Sequence, residues 1–463
     1  MKTAVPFPQK PLDALRLHLF RRRDATGAGP AGARRPERAG APAAVDPAPA
    51  ADLSCLWVAR SDPFPMDSGD NLYTAMLVDA FAGAGVDVTF VGLRRSRRED
   101  DGWGGAAGSV GFHPVPGTPY PLWRAVLSRK PQVMAKFRTR AYRRELRRLL
   151  AARAWDVVVI DQYGMGWALD AIDRLAAATG RRPVVVHVAH DHEASLTMDI
   201  ARNSTADPLT RLMLYLNAWK TATTEGDLVE RCDLLTVITP EDRARFLAAT
   251  PGKPHVVLTP GYAGSSVDDR VITPEIPRRA IILGSFKWTA KMMNLQEFVA
   301  AADPVFARAG AELQVVGSVD PRLVEAMRPG LRATTFTGFV PDARPYLLNA
   351  RIGVVPERTG GGFKLKLLDY LFHGLPIAAI DNATAGLPAD MLDAMLRFDD
   401  LPALAQGVVA AMDDLPRLND LQRRALERGR AAFAWTDRGT ALRRAVEGCR
   451  VPSGAQQAGA PRR

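Results

Sequence analysis

The run PERTGGGFKLKLLDYLFHGLP, residues 356–376, holds the residue types and spacing best suited to chemistry. Gly360, Gly361 and Gly362 let a backbone approach a ligand closely and take conformations that other residues avoid. The pattern predicts a helix beginning near Phe363, and the first turn of a helix offers unpaired N–H groups and a partial positive charge. That combination suits phosphate. Lys364 and Lys366 add full charges, and Asp369, one turn along, has the chemistry to accept hydrogen bonds from a ribose diol. Three other loops carry reactive groups: ILGSFKWTAK with Ser285, Lys287 and Lys291, HVAHDHEAS with His190, Asp191, His192 and Glu193, and PMDSGDN with Ser68, Gly69 and Asp70. For the HDHE cluster the plainer use is helix capping. It lacks a second conforming ligand set, so no metal site is expected.

Those loops need elements to hold them. LSCLWVA, VDVTFVGL, DVVVID, PVVVHVA and CDLLTVIT are short apolar runs alternating with helical stretches, the signature of a parallel sheet covered on both faces. After PHVVLTPGY and a Pro-containing joint near residues 264–278, a second series follows: RAIILGS, AELQVVGS, ATTFTGF, RIGVVPE and LPIAAID. The reactive loops all fall at the C-terminal ends of strands, where open α/β sheets bind ligands. The fold class expected is α/β, two Rossmann-like domains facing a central cleft. The boundaries are a basic Ala-Pro-rich disordered segment over 1–51, an N-terminal domain over 52–265, a C-terminal domain over 266–432, and over 433–463 a helix returning to the first domain, with a tail.

Length and composition narrow the classes. The 463 residues are 47% hydrophobic and 24% charged, which excludes a wholly disordered chain. No apolar stretch is long enough to span a bilayer and the N-terminus does not read as a signal peptide, so a cytoplasmic location is expected. Cys55, Cys232 and Cys449 have no paired spacing and read as reduced thiols. A net charge of +11 favours an anionic partner. Residues 121–153 concentrate that charge, with one acid, Glu145, among eleven lysines and arginines. Interleaved Leu122, Trp123, Leu127, Phe137, Leu146 and Leu150 fit either a helix lying on an anionic membrane or a core stripe with a solvated arginine face. Nothing forms a stacking platform for nucleic acid.

Taken together, these segments resemble the GT-B glycosyltransferases, in particular the retaining group called family 4, over residues 53–445. GGGFKLKLLDYLFHGLPIAA is similar to that family's G-T-G-x-K-x-K segment, ILGSFKW to the start of its second domain, HDHE to its H-N-x-E, and PFPMDSGDNLY to its acceptor loop. The resemblance implies a nucleotide-sugar donor held by the second domain and an acceptor held by the first, at Ser68, Gly69 and Asp70. It implies catalytic roles for His190 beside the donor sugar and for Lys287 and Lys366 on the diphosphate. Donor contacts would come from Ser285, Lys291, Gly360, Gly361, Gly362, Phe363, Lys364 and Asp369, with Phe339 and Val340 flanking the base, and no metal or other cofactor is implied. The chain departs from the family where Gly361 and Asp369 replace paired glutamates and Ser285 replaces an arginine.

The expected activity is retaining transfer of a sugar from a nucleoside diphosphate to a hydroxyl of a glycan or lipid-linked acceptor in polysaccharide or glycoconjugate synthesis. The alternatives are an inactive scaffold in a polysaccharide-assembly complex and a nucleotide-sugar epimerase. The partners expected are the donor, the acceptor and an anionic membrane surface met through residues 121–153, at the inner face of the membrane.

Overall fold

Runs of valine, isoleucine and leucine that are buried on both faces become the central strands of two parallel sheets in the computed structural model of the chain. It describes residues 53–66, 68–95, 110–204, 206–286, 289–358 and 362–450; the predicted disordered segment over 1–51 lies outside them, as do Lys287, Gly360 and Gly361.

The first unit runs β1 (Leu53–Ser61), α1 (Gly69–Gly83), β2 (Val86–Leu93), β3 (Gly111–Val115), α2 (Leu122–Val126), α3 (Gln132–Phe137), α4 (Arg140–Ala152), β4 (Val157–Asp161), α5 (Leu169–Thr179) and β5 (Val184–Val188). It continues through α6 (Glu193–Asn203), α7 (Pro208–Arg231), β6 (Leu234–Val237), α8 (Pro240–Ala249) and β7 (His255–Val257). The second comprises β8 (Arg279–Leu283), α9 (Thr289–Arg308), β9 (Glu312–Val316), α10 (Pro321–Met327), β10 (Thr334–Phe336), α11 (Arg344–Leu348), β11 (Ile352–Val355), α12 (Lys366–Phe372), β12 (Ile377–Ile380), β13 (Leu396–Phe398), α13 (Leu401–Ala411) and α14 (Leu415–Ala432). Helix α15 (Trp435–Cys449) ends the described chain.

All pairings are parallel, in the orders β3-β2-β1-β4-β5-β6-β7 and β10-β9-β8-β11-β12-β13. Each order reverses beside its first strand, between β1 and β4 and between β8 and β11, which opens a crevice at the strand ends. β4 shows why parallel strands read as unbroken apolar runs: all five of its residues are buried.

Three features differ from the sequence reading. β3 (GFHPV) and β13 (LRF) are edge strands too short and mixed in composition to carry an apolar signature. The helix after the glycines begins at Lys366 and not near Phe363, because Phe363 turns its ring into the contact between the units, against Phe433. Its first turn therefore does not follow the glycines directly. Residues 121–153 form three helices, and the stripe of α4 (Tyr142, Leu146, Leu149, Leu150) is buried, so that helix cannot lay it on a membrane. Helix α15 packs on α1 of the first unit, where Gly439 is required: a Cβ there would come 1.9 Å from the Ala80 carbonyl oxygen. Arg443 also donates to Ala84 O at 2.6 Å, and Arg438 to Thr259 O at 2.9 Å.

Candidate functional site

On the side of the first unit, the site is organised around Asp161, the last residue of β4 and 2% exposed. Its Oδ1 lies 2.7 Å from His190 Nε2, while Oδ2 accepts from Trp57 Nε1 at 3.0 Å and Thr74 Oγ1 at 2.8 Å. Both carboxylate oxygens are thus engaged, with three of about four lone-pair sites taken. Burial alone would push Asp161 up and His190 down, but their mutual attraction reverses both: Asp161 is held below the usual carboxylate range and His190 above the usual imidazole value. The other imidazole nitrogen, Nδ1, lies 3.2 Å from the Gln162 amide, which can present a donor or an acceptor there. Gln162 has φ +68° and ψ 150°, a region almost reserved for glycine, so holding the amide there costs on the order of 1–3 kcal/mol. Neither Asp161 nor Gln162 stood out in the sequence as a site residue; a polar pair closing a buried strand was the available signal.

Beside this pair, His192 does what the plainer reading expected: its Nδ1 caps α6, accepting from Ser195 N. Glu225, on α7, accepts from Glu193 N at 3.0 Å and Ala194 N at 2.8 Å. Burial pushes Glu225 up to about 8 and Glu193 up to about 7, so near neutral pH these carboxyls carry less negative charge than exposed glutamates. Ser68 caps α1 through Asn71 N, and Asp70 pairs with Arg60 at 3.0 Å. Although burial opposes it, His190 and Arg60 hold Asp70 below its ordinary value.

Facing them, Glu357, two residues past the end of β11, is buried and ion-paired with Lys366 of α12. The second carboxylate oxygen of Glu357 is buried and has no hydrogen-bond partner among the described residues. Glu357 escaped the sequence reading. Tyr370 fixes α12 beneath the sheet: where β8 and β11 part, its hydroxyl accepts from Leu283 N at 2.7 Å. Lys366 Nζ also sits 5.5 Å from the Phe286 ring centroid. Burial, against the pull of Glu357 and Asp191, lowers Lys364. Lys291 opens at the rim, and the surrounding walls together with Lys366 lower it too. Asp369 is pushed up to about 6 by burial, with Lys366 opposing. Cations crowded enough to depress one another make a site suited to a multivalent anion.

The predicted residues gather unequally. Gly362, at φ +73°, brings the glycine loop against the HDHE loop so tightly that a Cβ would sit 2.5 Å from Asp191 Oδ1. A Cβ on Gly69 would meet Leu365 at 3.0 Å, so the PMDSGDN loop joins the same cleft. Ser285 is exposed beyond β8, Val340 packs in the second core, and Phe339 is 78% exposed. Among the described residues no three His, Cys, Asp or Glu side chains converge on a metal position. A hollow of about 810 Å³ at the far end of the first sheet is lined by Arg182, Arg231, Lys253 and Cys449. Its cations are already bound, Arg182 to Asp233 and Lys253 to backbone carbonyls, so it is no rival site.

Comparison with known proteins adds to this geometry. Residues 68–261 match the family described as glycosyl transferase 4-like domain, and residues 277–414 that described as glycosyl transferases group 1. The solved sucrose-phosphate synthase of Thermosynechococcus elongatus is 18% identical, with 86% of this chain and 98% of that one covered at a TM-score of 0.60. Anabaena HepE, solved with UDP and glucose, is 11% identical over 86% of this chain and 100% of its own, at 0.56. WaaG, a glycosyltransferase of lipopolysaccharide biosynthesis, is 16% identical over 87% and 100%, at 0.55. At such identities the likeness is one of fold. A search of the curated proteins finds no match to the sequence.

Proposed function

Since this chain belongs to the glycosyltransferases, a 4-like half and a group 1 half on the GT-B fold, we propose that it transfers a sugar, with retention, from a nucleoside diphosphate to a hydroxyl of a glycan or lipid-linked acceptor in polysaccharide or glycoconjugate synthesis. The observation that carries the proposal is the cation cluster of Lys291, Lys364 and Lys366 at the strand ends of the second unit, met across the cleft by His190. In this reading the lysines neutralise the diphosphate, and neither a metal nor another cofactor is called on. The cations stabilise the charge that grows on the phosphate as the anomeric bond breaks. The acceptor oxygen bonds to the anomeric carbon on the face the phosphate leaves, and its proton passes to a phosphate oxygen. No protein nucleophile is required.

His190, kept charged by Asp161, stands beside the sugar, and Asp369 takes the ribose diol. The unpaired oxygen of Glu357 is the acceptor best placed to replace the carboxylate that Gly361 lacks. Calorimetry with UDP, GDP and ADP tests the proposal. At least one should bind to the wild type, and Lys366→Ala should weaken that binding at least about tenfold. Heat from none of the three would remove the assignment. The scaffold alternative draws on one observation, the Glu357–Lys366 pair that already occupies the principal lysine; it predicts heat from none of the three nucleotides.

A further inference from the structure

Six of the ten large apolar side chains exposed among the described residues lie on one face of the first unit. Leu209, Leu212, Leu216 and Trp219 recur at three- and four-residue spacing along α7 and are 43–69% exposed. Trp123 and Leu127, at α2 and its C-terminus, are 66% and 79% exposed. The two sets adjoin: Lys220 Nζ, next to Trp219, donates to Ser128 O at 2.7 Å, and Asn217 Oδ1 accepts from Gln132 N at 3.0 Å. Monomeric proteins seldom leave such a patch uncovered.

What surrounds the patch says what covers it. From Gly102 to Arg144 the sequence contains no aspartate or glutamate. Arg124, Arg129 and Lys130 are exposed there, with Arg211 on α7, and none of the four pairs with a carboxylate among the described residues. An apolar stripe edged by free cations matches a bilayer bearing anionic headgroups. The N-terminal segment is not complementary, since Lys2, Lys10, Arg16, Arg21, Arg22 and Arg23 face only Asp13 over its first 23 residues. A second copy would bring the same basic rim.

We infer that α2 and the N-terminal half of α7 dock the protein on an anionic membrane surface, in place of the α4 stripe. The docked face flanks the cleft. α6 starts just past β5, three residues after His190, and α7 returns to the foot of β6. At about 1.5 Å per residue α7 is roughly 36 Å long, twice a five-residue strand, so its first half stands above the strand ends. The consequence, an acceptor carried on lipid, rests on the transferase reading; the docking does not.

Flotation of the full chain with phosphatidylcholine vesicles, with and without phosphatidylglycerol, tests this. Binding should require the anionic lipid and be lost between about 0.1 M and 1 M salt. Trp219→Glu combined with Leu212→Glu should lower the bound fraction about tenfold or more, leaving the melting temperature and nucleotide calorimetry unchanged. Absence of binding, or flotation of the double variant like wild type, overturns the inference. So does a wild-type dimer that the variant dissociates, which would assign the patch to a second copy. Vesicle binding that appears only on deleting residues 1–51 overturns it in favour of that segment. Flotation without any nucleotide binding would leave the docking intact and sink the transferase reading alone.

Discussion

Removing the ammonium of Lys366 should do more than weaken a ligand. Its partner Glu357 has a side chain only 6% exposed, and Lys366 one of 12%, so Lys366→Ala strands a carboxylate out of water. Breaking a buried pair from one side typically costs about 3–5 kcal/mol. The carboxyl has an escape, because it can take a proton; for an ordinary glutamate that costs about 3.7 kcal/mol at pH 7. The loss in stability should therefore approach, and not exceed, about 3.7 kcal/mol at pH 7, and fall by roughly 1.4 kcal/mol for each pH unit towards the glutamate range. The sign follows from the proton: the stranded acid binds it more tightly folded than unfolded, so low pH relieves the variant. Glu357→Gln added to Lys366→Ala should recover most of the stability at pH 7 without restoring nucleotide binding. Denaturant unfolding of the three proteins at pH 5.5 and 7 reads all of this. A single variant as stable as wild type, or a deficit that ignores pH, would refute the buried pair.

Three other outcomes follow from the site. Asp369 titrates near 6 in the free protein, so from pH 5 to 7 the wild type should gain up to about tenfold in nucleotide affinity beyond whatever Asp369→Asn gains; superimposable profiles by calorimetry would dismiss the ribose contact. Asp161→Asn should cost about 3 kcal/mol at pH 6. Because His190 is raised in the folded state, the stabilisation is whole below about pH 6.5 and lost as pH rises through the folded value, so unfolding curves of the two proteins should converge at alkaline pH. Gly362→Ala combines a positive φ with a 2.5 Å approach to Asp191, and it should destabilise by about 1–3 kcal/mol while raising KM for the donor; an unchanged KM would mean the loop does not reach the sugar nucleotide.

Much of the fold was legible because parallel strands announce themselves: DVVVID and PVVVHVA have no solvent face to break the apolar run. The edge strands β3 and β13 were lost for the converse reason. In the cleft, groups fixed by local chemistry could be seen, the glycine–lysine run above all. Groups fixed by distant chain could not. Asp161 draws its ligands from Trp57 and Thr74, 104 and 87 residues away, and no pattern around Asp161 encodes them. Glu357 reads as an ordinary polar strand end until Lys366, nine residues on, folds back over it. Helical spacing left two readings open for residues 121–153, and only the fold shows that the stripe of α4 turns inward. Period gives a face its composition but not its direction.

Helix α15 has a consequence for how the molecule is made. The core of the first unit is completed by residues made after the whole of the second sheet: Trp435 packs against Tyr73, with ring centroids 5.7 Å apart, and Leu442 and Val446 join the same core. During synthesis the first half must wait, its surface for α15 bare, until the second half has been threaded out and has every residue of its own sheet. The earlier half of this chain therefore cannot complete its core until the later half has been made.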